Sequence, residues 1–352
     1  MEYAAIIIPT LNREKHLRRC VESLLKNKEA EKTDIYISVD FPPMEKYREG
    51  YSEVIEYVKT ISGFATVNLY FQEKNLGPGL NRKFLENKIA EKHDKYIFTD
   101  DDNEFSVNFL AYMNWGLEEF KEDETIYAVC SCTDFDIYKG GEKADFFLIP
   151  AYNPYGTGHW LHKNKKCEEY LTQKTLNNIY KSKERQRKLY SYSPMVYMWV
   201  AQDSLRLVSP MRGKNDTLTY IDIWENVYII ENNLKCIKPI FTKSRNWGLD
   251  GSGVHVGEND IKDYVPTVQL DNADNWSFQP IRLGSEAENK NIDLHKKKFS
   301  ISIRERRGSR LIYSLNAILG NRCVYGVFRC ARDIFRRIFK SKEKEKSEIM
   351  YG

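Results

Sequence analysis

The strongest chemical signal in the chain is Asp100-Asp101-Asp102, three adjacent carboxylates directly after the apolar run 96–98. Like charges this close oppose one another's ionisation unless a cation neutralises them. Mg²⁺ or Mn²⁺, held by one or two carboxylates and by a diphosphate, supplies that neutralisation. A solvated acidic turn is the competing explanation. The triplet's place at the end of a buried strand weighs against it, because open α/β sheets bind ligands beyond the carboxyl ends of their strands. A second group stands far downstream. In Gly251-Ser252-Gly253-Val254-His255, small residues let the backbone approach a diphosphate, and the imidazole suits a metal or a phosphate; a purely structural histidine is the alternative.

The elements that must position these groups follow from hydrophobic spacing. Residues 4–8 form a continuous apolar run suited to a buried parallel strand, and Asn12 is placed to cap a helix carrying Leu17, Val21, Leu24 and Leu25. A second strand over 35–39 ends at Asp40-Phe41-Pro42-Pro43. A helix over 51–61, a strand over 66–71, a helix over 82–90 and a strand over 96–98 follow. This β-α-β-α-β-α-β order predicts a parallel sheet with covering helices. Beyond the triplet, the pattern predicts a helix over 109–120 and a strand over 126–130. The Tyr- and Lys-rich stretch 140–220 is expected to be an insertion or an acceptor-side subdomain. A helix over 221–231, a strand over 236–241 and a Gly-rich turn at 248–253 come next, and 257–300 is polar and expected to wrap loosely.

Composition excludes several classes. With 352 residues and 41% hydrophobic side chains the chain can bury a sizeable core and is not a disordered polymer. No apolar run approaches the roughly 18 residues of a spanning helix, and Met1 leads at once into Ile6-Ile7-Ile8-Pro9, so no secretory leader is expected. The seven cysteines are odd in number, scattered and without a C-x-x-C pair, so neither a disulfide framework nor a zinc site is expected, and a reducing cytoplasm fits best.

The net charge of +4 divides unevenly: residues 301–342 carry nine Arg and two Lys against Glu305 and Asp333, a net +9, and the other 310 residues sum to −5. Within that tail Leu311, Ile312, Leu315, Ile318 and Leu319 keep helical spacing, and after Gly320 the pattern resumes from Val324 to Phe339 with arginines between. An apolar stripe flanked by arginine marks a helix lying in a membrane interface. A helical hairpin packed on the body or on a partner subunit, as in a homo-oligomer, is the alternative. Nucleic acid is not expected, because the body is acidic and no recognition motif accompanies the tail.

Three segments in order, Ile7-Ile8-Pro9-Thr10-Leu11-Asn12-Arg13, Asn75-Leu76-Gly77-Pro78-Gly79-Leu80-Asn81 and the Asp triplet, carry a family likeness. Over residues 3–110 the chain resembles the nucleotide-sugar-dependent glycosyltransferases of the GT-A fold, family 2 type, with their D-x-D metal motif. Further along it is similar to the N-acetylglucosaminyltransferase I type. Gly156-Thr157-Gly158-His159-Trp160, Asp222-Ile223-Trp224 and 248–255 stand where that type has a G-x-G-W loop, a D-D-W helix start and a late Gly-rich segment ending in His. The G-x-G-W match needs one extra residue, and a long insertion precedes Asp222.

The resemblance implies roles. Pro9, Thr10, Asn12, Asn75, Gly77 and Asn81 line the donor, and Arg13 lays a guanidinium fork on the nucleotide or its phosphates, with a surface ion pair as the alternative. Asp40 bonds a uracil edge or ribose, or is an ordinary loop cap. Asp102 ligates the metal through its side chain, with His255 as a further metal contact, while Asp100 and Asp101 hold the sugar, the ribose or metal-bound water. Asp222 is the catalytic base and Glu225 its alternate, a helix N-cap and capping-box pair being the competing role. Trp160 walls donor or acceptor, or packs in the core.

The expected architecture is therefore a mixed, mainly parallel α/β sheet flanked by helices. A glycosyltransferase domain at 1–300 has a nucleotide-sugar half at 1–110 and an acceptor and catalytic half at 111–256, with the insertion at about 140–220; the basic amphipathic tail occupies 301–352. The expected activity is a Mn²⁺- or Mg²⁺-dependent, inverting transfer from a UDP-linked donor to a saccharide or lipid-linked glycan in bacterial surface polysaccharide synthesis, at the inner face of the cell membrane. A sugar nucleotidyltransferase would need a Gly-rich G-x-G-T-R loop after its first strand, which residues 9–13 do not provide. A non-catalytic, membrane-tethered carbohydrate-binding relic would not need Asp102 and Asp222.

Overall fold

A computed structural model describes residues 2–133, 135–172, 174–175, 178–179, 182–194, 196–197, 200, 221–250, 252, 266 and 268–298. Strand and helix alternate through the first hundred residues: β1 (Ala5–Thr10), α1 (Glu14–Leu25), β2 (Asp34–Val39), α2 (Arg48–Val58), β3 (Thr66–Phe71), α3 (Pro78–Ile89) and β4 (Lys95–Phe98). Then come β5 (Asn103–Phe105), α4 (Phe109–Glu119), β6 (Ile126–Cys130), β7 (Phe146–Ile149), β8 (Thr157–Trp160) and α5 (Leu161–Tyr170). The remaining described elements are α6 (Lys183–Tyr192), α7 (Ile221–Glu231), β9 (Lys235–Pro239), β10 (Ser244–Asn246) and α8 (Ser285–Lys298).

Eight strands form one sheet in the order β3-β2-β1-β4-β8-β6-β9-β7. β3, β2, β1 and β4 are mutually parallel, and β8 runs antiparallel between β4 and β6. Successive side chains of a strand point to opposite faces, and β1 shows it. Ile6 and Ile8 pack with Leu17, Val21 and Leu24 of α1 and Val54 of α2, while Ala5 and Ile7 pack with Leu85 and Ile89 of α3. Strands buried on both faces must be apolar throughout, which is why they stand out as continuous runs.

The chain winds from β1 outward through β2 to β3 and then returns to place β4 on β1's other side. The loops leaving β1 and β4 diverge at that reversal, and the crevice between them is where such sheets take ligands.

Several expectations need revision. β7 and β8 belong to the main sheet, so the stretch 140–169 is part of the body and not of the insertion. Gly158 makes β8 possible by letting Leu117 of α4 pack onto the strand, where an added Cβ would meet Leu117 Cγ at 3.0 Å. The segment expected to wrap loosely contains α8, and Leu283, just before the helix, joins its Ala287 and Ile292 in covering Phe147 and Ile149 of the sheet. Its polar look hides buried groups with partners: Asn291 exchanges hydrogen bonds with the backbone of Tyr138, and Glu288 accepts from the Leu148 amide.

The body comprises 1–169 and 232–295, and residues 170–231 belong to a second compact unit. In that unit Leu189, Tyr197, Trp224, Val227 and Ile230 form a separate core, and Glu231 pairs with Arg185, which also donates to the Tyr170 hydroxyl at 2.6 Å. The basic tail lies outside the described residues. Among those described, no helix is long and apolar enough to cross a membrane.

Candidate active site

A pocket of about 350 Å³ opens at the reversal of strand order, lined by the β1–α1 loop, the ends of β2 and β4, and the loop before α3. Thr10 closes β1 and donates from Oγ1 to Asp101 Oδ2 at 2.7 Å. Arg13 occupies the N-cap of α1, which makes no side-chain cap, so Asn12 lines the pocket and does not cap the helix. The Arg13 guanidinium spans two carboxylates, touching Asp101 Oδ1 and lying 2.9 Å from Asp102 Oδ2. Burial opposes the guanidinium charge, but Asp101 and Asp102 outweigh it and raise the Arg13 pKa.

Three carboxylates thus face one cation. Burial, with repulsion from Asp102 and Asp101, pushes Asp100 up to about 7, against the pull of Arg13. Burial also raises Asp101, while Arg13 pulls it down. The set is oxygen-only, the donor type a hard divalent cation prefers, although among the described residues no group of three acidic, His or Cys side chains is placed to hold a metal ion.

Two short strands fix the third carboxylate. β5 begins directly after Asp102 and pairs antiparallel with β10, Asn103 opposite Asn246. Asn246 Nδ2 donates to Asp102 Oδ1 at 2.6 Å, and the Trp247 amide donates to the Asp102 carbonyl at 2.8 Å. Gly248 follows against the carboxylate, where a Cβ would lie 2.1 Å from Asp102 Oδ2. The turn is then tied to α1 by His16 Nε2 and Asp250 Oδ2 at 2.9 Å, and Ser252 reaches the pocket lining.

Opposite, Asp40 directly follows β2 and is buried. Its Oδ1 accepts from the amides of Phe41 and Leu76 at 2.9 and 2.8 Å, and its Oδ2 from the Gly77 amide and Asn75 Nδ2 at 2.8 and 3.1 Å. Gly77, at φ +77°, turns the chain into α3, and Pro78 occupies that helix's first turn. Asn81 Nδ2 donates to the Ser38 carbonyl at 3.0 Å and Oδ1 accepts from the Ser38 hydroxyl at 2.5 Å, so this side chain locks α3 to β2.

Pro9, Thr10, Asn12, Arg13, Asp40, Asn75, Gly77, Asn81, Asp100 and Asp101 thus share one pocket, with Asp102 beside it through Arg13. The structure does not bring Trp160 there. That residue pairs with Lys95 at the start of β4, is buried, and donates its indole N–H to the Leu117 carbonyl at 2.9 Å, so it belongs to the core. Asp222 and Glu225 stand in the first turn and a half of α7, in the second unit. His255 lies outside the described residues. Sequence reading missed His16, Pro43, Met44, Tyr47 and Asn246. A strand of three residues shows no periodicity, and only the Pro42-Pro43 break hinted that the chain after β2 would form a wall.

Carboxylates and an arginine at the switch point of a mainly parallel sheet agree with a match to the family described as Glycosyl transferase family 2, which covers residues 5–189. The chain belongs to that family. Its mixed, mainly parallel sheet is the one that the resemblance implied. The chain is similar to S. aureus TarS, with 14% identity and a TM-score of 0.33 over 49% of this chain and 32% of that one. It is also similar to the mannosyltransferase PcManGT from Pyrobaculum calidifontis in complex with GDP-Man and Mn²⁺, with 14% identity and a TM-score of 0.34 over 48% and 46%. A third likeness is to GalNAc-T7 with UDP, GalNAc and Mn²⁺, with 14% identity and a TM-score of 0.40 over 69% and 44%. The matched part thus spans about a third to a half of those chains. No curated protein matches the sequence.

Proposed function

We propose that this family 2 glycosyltransferase takes a nucleoside diphosphate sugar, with UDP the expected nucleotide, and transfers the sugar with inversion to a saccharide acceptor. The observation that carries this reading is the set of three carboxylates around Arg13, with Asp100, Asp101 and Arg13 lining a 350 Å³ pocket and Asp102 paired to the same arginine beside it. The nucleoside lies against the loops after β1 and β2, and the diphosphate extends toward Arg13, whose fork suits phosphate oxygens. Asp102, held by Asn246 and backed by Gly248, is the direct side-chain ligand of Mn²⁺ or Mg²⁺, with Asp100 and Asp101 beside it and His255 as a further contact. When bound, the cation stabilises charge on the departing diphosphate.

Asp222 takes the proton of the acceptor hydroxyl as that oxygen attacks the anomeric carbon from the face opposite the diphosphate, and Glu225 is the alternate base. The acceptor is a lipid-linked glycan of bacterial surface polysaccharide assembly, and the basic tail holds the enzyme on the inner face of the membrane.

The test is nucleotide release from UDP-, GDP- and dTDP-sugars with Mn²⁺, with and without acceptor glycans. At least one donor is expected to turn over, with Asp222→Asn retaining donor affinity and losing transfer by about 10²–10⁴-fold, the usual contribution of a general base. Silence across the panel contradicts the enzyme reading. A fully active Asp222→Asn moves the base to Glu225.

A further inference from the structure

Resting on the proposed work at a membrane surface, we infer that the body carries a lipid-contact face of its own, formed where β9 ends and β7 begins, and that its partner is an anionic bilayer. Of the nine large hydrophobic side chains that stand exposed among the described residues, Tyr138, Phe241, Phe278 and Ile281 gather here, and Phe278 is 97% exposed. Backbone bonds bring them together. Asp145, just before β7, accepts from the Ile240 amide at 2.8 Å; it also donates to the Ile281 carbonyl and takes the Ile281 amide on Oδ2, both at 2.8 Å. Phe241 and Ile281 therefore stand on either side of β7, next to β9 and to the bridge between Phe146 and Arg282. Tyr138 comes from the loop before β7. Its neighbour Lys139 sets Nζ 4.4 Å from the centre of the Phe241 ring, and Lys290 of α8 sets Nζ 3.5 Å from that of Tyr138.

Exposed rings with lysine stems laid over them suit a bilayer interface, because the apolar parts enter the acyl boundary while the ammonium groups stay level with the headgroup phosphates. Two carboxylates of the same loop are turned to backbone: Glu142 accepts from the Gly284 amide at 2.8 Å, and Asp145 from that of Ile281. Position favours lipid over a protein partner. β4, β6 and β9 run parallel, so the end of β9 shares the carboxyl edge of the sheet with the pocket. Three strand spacings separate β4 from β9, about 14 Å. A surface laid on this face lies beside the pocket mouth, where a lipid-linked acceptor must arrive. The course of the chain agrees, since α8 leads within a few residues into 301–342 with their net +9. Charge brings the protein to anionic lipid, and the aromatic face sets which side of the body meets it.

The test is co-sedimentation of the full-length protein with vesicles of phosphatidylglycerol and phosphatidylcholine in equal parts. Both phenylalanines are exposed, so the double variant Phe241→Ser with Phe278→Ser leaves the core intact. It is expected to bind vesicles about tenfold more weakly, with affinity for UDP and Mn²⁺ unchanged. In Phe278→Trp, brominated acyl chains are expected to quench emission beyond the wild-type background. Vesicle binding by the double variant equal to that of the wild type, or no added quenching, overturns the inference. A wild type that is dimeric by light scattering and becomes monomeric in the double variant also overturns it, because a second copy then covers this face. Truncation after residue 308 separates this inference from the role proposed for the tail. Binding lost on truncation and kept in the double variant leaves only the tail; binding kept on truncation and lost in the double variant leaves only this face. A wild type that ignores the vesicles rejects both.

Discussion

Arg13 places one positive charge between Asp101 and Asp102, in the position a cation would share. Removing it leaves both carboxylates uncompensated, so Arg13→Met is expected to bind Mn²⁺ alone about tenfold more tightly, a change of ~1.4 kcal/mol, and to bind UDP more weakly. Electron paramagnetic resonance of free Mn²⁺ reads the first and calorimetry the second; unchanged Mn²⁺ affinity would remove Arg13 from the cation's place. Asp100 supplies a pH signature. Its carboxyl is pushed up to about 7 from 3.8, so across that window the folded protein holds a proton that the unfolded chain has released. Stability from this group therefore falls as pH rises from about 4 to about 7 and is flat above. Asp100→Asn escapes the penalty, and in EDTA its urea midpoint relative to the wild type should rise over the same window. A difference independent of pH would contradict the assignment.

Elements deliver these side chains, and their legibility in the sequence depended on how many residues carried each pattern. β1, β2, β4 and β6 are buried on both faces and announced themselves as apolar runs. β8 did not, because Thr157, Gly158 and His159 are polar or small and are buried for packing reasons that lie in α4 and β4. β5 and β10, with three residues each, were too short to show a period, yet they bring Asn246 to Asp102. Asn12 looked like a helix cap from its type and place, but the helix starts one residue later. What holds that loop is α2: a Cβ on Gly50 would lie 2.3 Å from the Asn12 carbonyl oxygen. Backbone cannot rotate away as a side chain can, so Gly50→Ala is expected to cost about 1–3 kcal/mol in chemical denaturation and to weaken nucleotide binding through the displaced Asn12–Arg13 loop. Wild-type stability with wild-type binding would show the contact to be loose.

At the scale of the molecule, the sequence separates an acidic body from a tail carrying +9 over residues 301–342. Truncation after residue 308 is expected to abolish sedimentation with anionic vesicles while preserving transfer to a soluble acceptor, and undiminished vesicle binding would reject the membrane role. The candidate site was legible where its residues stood at strand ends, as with Arg13, Asp40 and Asp100 to Asp102. It was not legible where a fold-wide consequence chose the partner, as when four donors converge on Asp40. Everything proposed for the enzyme depends on the carboxylates acting as the cation-dependent half of a donor site. Calorimetric titration of UDP into the wild type and into Asp102→Ala, each with Mn²⁺ and with EDTA, tests that most directly. Binding that needs Mn²⁺ in the wild type and is lost in Asp102→Ala is the expected result; equal affinity in all four titrations would contradict it.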